Sequence, residues 1–141
     1  DEPDKKMSKS ATGANHAVGL LDPPEVARKK IMRATTDSNP AVDFETMGPG
    51  VRNLLAIHQA FSGSTDDQMK ANFDGLRYGD LKKQVAETVV GSLEPLQKRY
   101  AEITADPSYL DRIILEGGER VNPIAQDTVR LTKQRMGLFS T

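Results

Sequence analysis

The clearest pattern lies in the second half of the chain. Leu81, Val85, Val89, Leu93, Leu96, Tyr100 and Ile103 step by 4, 4, 4, 3, 4 and 3, which keeps one helical face apolar for about six turns. This predicts a helix from Asp80 onward, with Gly91 and Pro95 as bending points, until Asp106-Pro107 breaks it. A following helix carries the stripe Leu110, Ile113, Ile114, Val121, Ile124, Ala125 and Leu131, with Gly117-Gly118 and Pro123 marking a kink or a close helix contact. Upstream, Val51, Leu54, Leu55, His58 and Phe61 form the buried face of a helix that starts at Pro49 and ends near Gly63. Ser64 or Thr65 caps a short helix that ends at Asp74-Gly75. Asp22-Pro23-Pro24-Glu25 reads as a helix start with Asp22 as the N-cap, running to about Thr35 with Val26, Ala27, Ile31 and Ala34 inward. Asp1 to Gly19 has no apolar period and reads as a loop, and Thr36 to Gly48 as a turn-rich connector. No stretch alternates like a strand. The pattern predicts an all-α, multi-helix bundle over residues 22–141 behind an irregular loop and lead-in at 1–21.

Composition narrows the classes. A chain of 141 residues suits one domain. No run of about 18 apolar residues exists, so no membrane span is expected. The absence of cysteine excludes a disulfide scaffold and any thiolate metal site, and permits a cytoplasmic home. The formal charge of −1 offers nucleic acid no global attraction, so any such binding needs a local basic patch. Regional charge is uneven: +2 over residues 1–33, −4 over 34–75 and +1 over 76–141. The chain opens Asp1-Glu2-Pro3 without an initiator methionine, which fits a piece of a longer protein.

Candidate chemistry concentrates in Lys5-Lys6-Met7-Ser8-Lys9-Ser10. Lysines and serine hydroxyls in a loop ahead of a helix supply donors and positive charge that can follow a triphosphate as its charge shifts. Such contacts raise a rate only where they strengthen in the transition state. On composition alone, a solvated basic segment is the better account. Arg28, Lys29, Lys30 and Arg33 form the densest basic cluster on a helix, either a solvated face or a phosphate contact that positions RNA without reading it. Lys82-Lys83, Lys98-Arg99 and Arg130, Lys133 and Arg135 are further basic patches. Tyr78 can stack on an unpaired base, whereas Phe73 and Tyr100 read as core residues. His58 reads as a hydrogen-bonded core histidine and His16 as a loop residue. No metal site is expected. Asp66-Asp67 sits in a first helical turn, where acids serve the helix dipole rather than a paired-carboxylate site.

Residue order adds what composition cannot. Lys6-Met7-Ser8-Lys9-Ser10 is an unmodified KMSKS motif. Behind it come Leu20-Leu21-Asp22-Pro23-Pro24, Lys29-Lys30-Ile31-Met32-Arg33-Ala34, Thr36-Asp37-Ser38, Gly48-Pro49-Gly50-Val51-Arg52-Asn53-Leu54-Leu55, Tyr78-Gly79-Asp80-Leu81-Lys82-Lys83 and Leu93-Glu94-Pro95-Leu96-Gln97-Lys98-Arg99-Tyr100. In that order, across essentially the whole chain, they resemble the tryptophanyl-tRNA synthetases of bacterial type, a family of class I aminoacyl-tRNA synthetases. The resemblance implies the C-terminal part of a cytoplasmic, ATP-dependent ligase that charges tRNA(Trp) with tryptophan, using ATP with Mg2+ as substrate and no cofactor bound to this portion. It implies that the nucleotide-binding α/β domain, with the tryptophan pocket and the main homodimer contacts, is absent here and that these residues alone are inactive. By position, Lys9 would pair with the departing pyrophosphate as the catalytic lysine. Lys6 and Ser8 would place the triphosphate, Met7 and Ser10 would tether and shape the loop, and the first helix would couple loop closure to rotation of the helical domain. The alternatives are a tyrosyl-type synthetase and a non-enzymatic helical RNA-binding or adaptor domain.

Overall fold

A computed structural model describes residues 16–138. Among them the chain forms five helices: α1 (Pro24–Met32), α2 (Pro49–Ser62), α3 (Asp66–Phe73), α4 (Tyr78–Thr104) and α5 (Pro107–Arg135). The only extended pairing among these residues is a single antiparallel bridge between Ala41 and Arg77. The all-α expectation holds.

Local chemistry explains the helix ends. Gly48 and Pro49 open α2, and Gly63 closes it in the left-handed region at φ 67°. Thr65 caps α3 through a reciprocal pair: the Gln68 N–H donates to Thr65 Oγ1 at 3.3 Å, and the Thr65 N–H donates to Gln68 Oε1 at 2.9 Å. Asp106 caps α5 by accepting the Tyr109 N–H at 3.1 Å.

Two ends differ from the sequence expectation. Pro23, not Asp22, is the N-cap of α1, and no side chain caps it. The Asp22 carboxylate is turned to the Gly19 N–H and Lys30 instead, and Pro24 takes the first helical position, which its missing N–H suits. The same helix ends at Met32 rather than Thr35. The chain must leave the helix there because the Thr35 carbonyl oxygen packs directly on Gly50, where a Cβ would overlap it. Helix α4 starts at Tyr78, two residues before Asp80. Pro95 and Pro123 lie inside α4 and α5, which run through them. No described atom outside its own helix crowds Gly91, Gly117 or Gly118, so the expected close helix contact at Gly117-Gly118 is not found.

The described residues form two compact units, the first ending at Gln97 and the second starting at Lys98. In the first, α1 contributes Ile31, α2 contributes Val51, Leu54 and Leu55, and α3 contributes Met69 and Phe73 to one apolar core. Helix α4 contributes Leu81, Val85, Ala86, Val89 and Leu93, and the connector adds Val42. Phe73, Leu54, Leu81, Val42, Val51 and Val85 are fully buried. Val26, Phe61 and Leu96, expected inward, are exposed. The last buried residue is Leu55 on α2, with Ile57 packed half-buried behind it, and Leu93 on α4, so Phe61 and Leu96 run past the core. In the second unit, no residue of α5 is buried, and Tyr100 is half exposed. Its apolar stripe is real in period, but the seven residues of α4 in this unit are too short a facing layer to bury it.

Candidate functional site

Lys6, Met7, Ser8, Lys9 and Ser10 lie outside the described residues. The structure does describe residues 16–23, which lead into α1, and four polar groups hold the turn among them. The Gly19 N–H donates to Asp22 Oδ2 at 2.8 Å while the Asp22 N–H donates to Gly19 O at 3.1 Å, closing a tight turn. Lys30 Nζ donates to the same Asp22 oxygen at 2.7 Å, with both side chains largely shielded from solvent. The Lys30 hydrogen bond, then the Gly19 amide, holds the Asp22 carboxyl below its ordinary range. From α4, Gln97 Nε2 donates to the carbonyls of Leu20 at 2.9 Å and Asp22 at 3.0 Å. Val18 packs against the core. Sequence reading assigned Asp22 a different role and gave Gln97 none. Both lie within quoted segments, but nothing local shows that those segments meet.

A second polar centre gathers three more of the quoted segments. Asp37, of Thr36-Asp37-Ser38, accepts the Tyr78 hydroxyl at 2.6 Å, the Asn39 N–H at 2.9 Å and the Gly48 N–H at 2.7 Å. Gly48 opens Gly48-Pro49-Gly50, and Tyr78 opens Tyr78-Gly79-Asp80. A Cβ on Gly48 would sit 2.6 Å from Asp37 Oδ2, so this approach needs glycine. These donors, the Tyr78 hydroxyl first, hold Asp37 below the usual carboxylate range. Burial and then the Asp37 contact push the Tyr78 hydroxyl up to about 12. Tyr78 is thus occupied in structure rather than offered to a base. Beside it, the Val42 N–H donates to Leu76 O and the Gly75 N–H to Val42 O, each at 2.8 Å.

The basic cluster on α1 divides by partner. Lys30 is spent on Asp22, and Arg28 pairs with Glu87 of α4. Lys29 and Arg33 are exposed and pair with no acid among the described residues. In the other basic patches, Lys83 pairs with Asp80, Arg99 with Glu102 and Arg130 with Asp127.

His58 is half-buried rather than core. Its ring meets the edge of Phe73 at 4.8 Å, Nδ1 lies 3.4 Å from Ser62 Oγ, and burial lowers its pKa. His16 Nδ1 is buried with no hydrogen-bond partner among the described residues. Asp66 accepts Gln59 Nε2 at 2.6 Å, a packing role. The described residues contain no cluster of three or more metal-ligating side chains and no helix long and apolar enough to cross a membrane. A groove of about 450 Å³ between Met47, Arg52, Asp66 and Lys70 mixes both charges and aims no catalytic set inward.

Comparison with known proteins decides the family. The model of the family described as tRNA synthetases class I (W and Y) matches residues 1–94, spanning the KMSKS motif, α1, α2, α3 and most of α4. The chain belongs to that family. A tryptophan–tRNA ligase of Wolinella succinogenes is 44% identical over 139 residues, covering 99% of this chain and 42% of that protein. One from Leifsonia xyli is 43% identical over 138 residues, covering 97% of this chain and 41% of its own. The crystal structure of tryptophanyl-tRNA synthetase from Mycoplasma pneumoniae matches with a TM-score of 0.71 at 31% identity, over 99% of this chain and 44% of that one. The chain spans about two fifths of the length of the curated relatives it matches. An accidental KMSKS match in an unrelated helical adaptor is thereby set aside. The segments that meet at Asp37 and at the Gly19–Asp22 turn belong to a class I synthetase scaffold.

Proposed function

We propose that this chain supplies the KMSKS loop and the tRNA-binding helical domain of a tryptophan–tRNA ligase. What carries the reading is its 44% identity, over nearly the whole chain, to a tryptophan–tRNA ligase, with Lys6 to Ser10 intact. Residues 1–21 act as the catalytic loop and its lead-in, and residues 22–141 as the helical domain. In the full enzyme, the tryptophan carboxylate attacks the α-phosphorus of ATP, forming tryptophanyl-adenylate and releasing pyrophosphate. A ribose hydroxyl of tRNA(Trp) then takes the tryptophanyl group, and AMP leaves. Mg2+ enters with ATP and neutralises phosphate charge. Lys9 meets the charge that grows on the departing pyrophosphate, while Lys6 and Ser8 place the triphosphate and Met7 and Ser10 tether and shape the loop. Lys29 and Arg33 are the members of the α1 cluster best placed for tRNA phosphate, since Arg28 and Lys30 are engaged within the fold. The nucleotide-binding domain completes the site and forms a homodimer in the cytoplasm.

The test is tryptophan-dependent ATP–pyrophosphate exchange by the full-length enzyme, wild type against Lys9→Ala. A fall of about 10²–10³ in rate with tryptophan binding intact is expected, the scale of losing one transition-state donor. Exchange with tyrosine and none with tryptophan moves the reading to the tyrosyl enzyme. The 141-residue chain alone gives no exchange above its Lys9→Ala control, because it lacks the pockets that hold the reactants in geometry.

A further inference from the structure

The segment that carries the KMSKS loop into α1 has an unusual problem. Pro23 and Pro24 follow it directly, and neither has an N–H with which to tie the backbone down. The structure solves this from 75 residues away. Gln97 aims its amide at two carbonyls that flank Leu21, those of Leu20 and Asp22, at 2.9 and 3.0 Å. An amide NH2 has two protons, and this geometry uses both. On the other edge of the same four residues, Asp22 holds the Gly19 amide and Lys30. Gly19–Asp22 is therefore clamped from both sides, by α1 through Lys30 and by α4 through Gln97.

Resting on the synthetase reading above, we propose that Gln97 is a positioning residue for the adenylation step. It fixes the Gly19–Asp22 turn, through which the chain passes from the KMSKS motif into α1, without touching substrate. Misplacing a catalytic group by about 1 Å can cost 10²-fold in rate, and Lys9 stands ten residues before the clamped turn. Loss of the clamp thus lowers kcat and leaves the tryptophan pocket alone.

The experiment is pyrophosphate exchange on the full-length enzyme carrying Gln97→Met, which keeps length and removes the donors, or Gln97→Glu, which turns acceptors toward the two carbonyls. The expected result is a fall of about tenfold in kcat for both, within the range that misplacing a catalytic group allows, with the tryptophan KM unchanged and both variants folded at the assay temperature. Should Gln97→Glu fail to fold, Gln97→Met carries the test. A kcat within twofold of wild type overturns the proposal, as does a loss that appears in the tryptophan KM or that disappears when the assay is run further below the variant's midpoint. Lys9→Ala measured alongside separates the two levels. Exchange that is sensitive to Lys9 but indifferent to Gln97 removes only this proposal, whereas no exchange in the wild type removes the synthetase reading and this proposal with it.

Discussion

Helices α4 and α5 carry the same kind of apolar stripe, yet their fates differ. From Leu81 to Leu93, α4 has five buried residues, whereas α5 has none along its whole length. The stripe of α4 meets Val51, Leu54 and Phe73 from other elements of its unit. A hydrophobic period states which face of a helix wants cover. What covers it is a property of the neighbours.

The contrast predicts unequal sensitivity to truncation. Leu81→Ala removes a fully buried side chain and is expected to cost about 2–5 kcal/mol through lost transfer energy and a residual cavity. Ile114→Ala, at a position 72% exposed, is expected to stay within about 0.5 kcal/mol of wild type in the same chain. Urea unfolding of both variants measures the difference. Equal costs would mean that the α5 stripe is covered in solution and that the contrast between the two helices is false.

A backbone substitution sharpens the same comparison. Gly50→Ala sets a Cβ against the Thr35 carbonyl, a backbone atom that cannot rotate away, and is expected to cost about 1–3 kcal/mol or more by overpacking. Gly117→Ala meets open space among the described residues in the middle of α5 and is expected to stabilise by about 0.5–1 kcal/mol through helix propensity. Opposite signs in thermal midpoints are the expected outcome. A destabilising Gly117→Ala would show that α5 is approached closely at that point.

How far each feature was legible follows from its range. The helices were readable because their signals are local: the Thr65–Gln68 box spans four residues, and the apolar stripes repeat every three or four. The C-terminal end of α1 was misread where a distant partner intervened, since Gly50 sets where the Thr35 carbonyl must go, and its start because Asp22 turns to Gly19 and to Lys30 of the same helix. The Asp37 centre was invisible for the same reason, as Tyr78 lies 41 residues away. Asp37, Gly48 and Tyr78 each stood in a segment that carries the family resemblance, but only the fold shows that one carboxylate is what those three segments share. The KMSKS motif is the reverse case, fully legible in sequence and outside the described residues.

The smallest effect asks whether that carboxylate matters to the first unit as the core does. Tyr78→Phe deletes the hydroxyl that Asp37 accepts at 2.6 Å and is expected to lower the urea midpoint at pH 6, through loss of a hydrogen bond to a charged acceptor. The pH dependence follows from the direction of each shift. Asp37 is held below its ordinary value of 3.8 in the folded chain, so its contribution is complete above that value and is lost as pH falls through the folded pKa. Because the Tyr78 hydroxyl is the leading cause of the lowering, the gap between wild type and Tyr78→Phe should narrow on acidification as the acceptor takes up its proton. At the other end, Tyr78 is raised from 10.0 to about 12. The stability linked to it is complete below pH 10 and declines as pH rises towards 12, a decline that Tyr78→Phe cannot show. Urea midpoints for both chains at pH 3, 6 and 11 test this. A constant gap at all three would show that the Asp37–Tyr78 contact contributes shape but no titrating interaction, leaving apolar burial as the only measured difference between the two units.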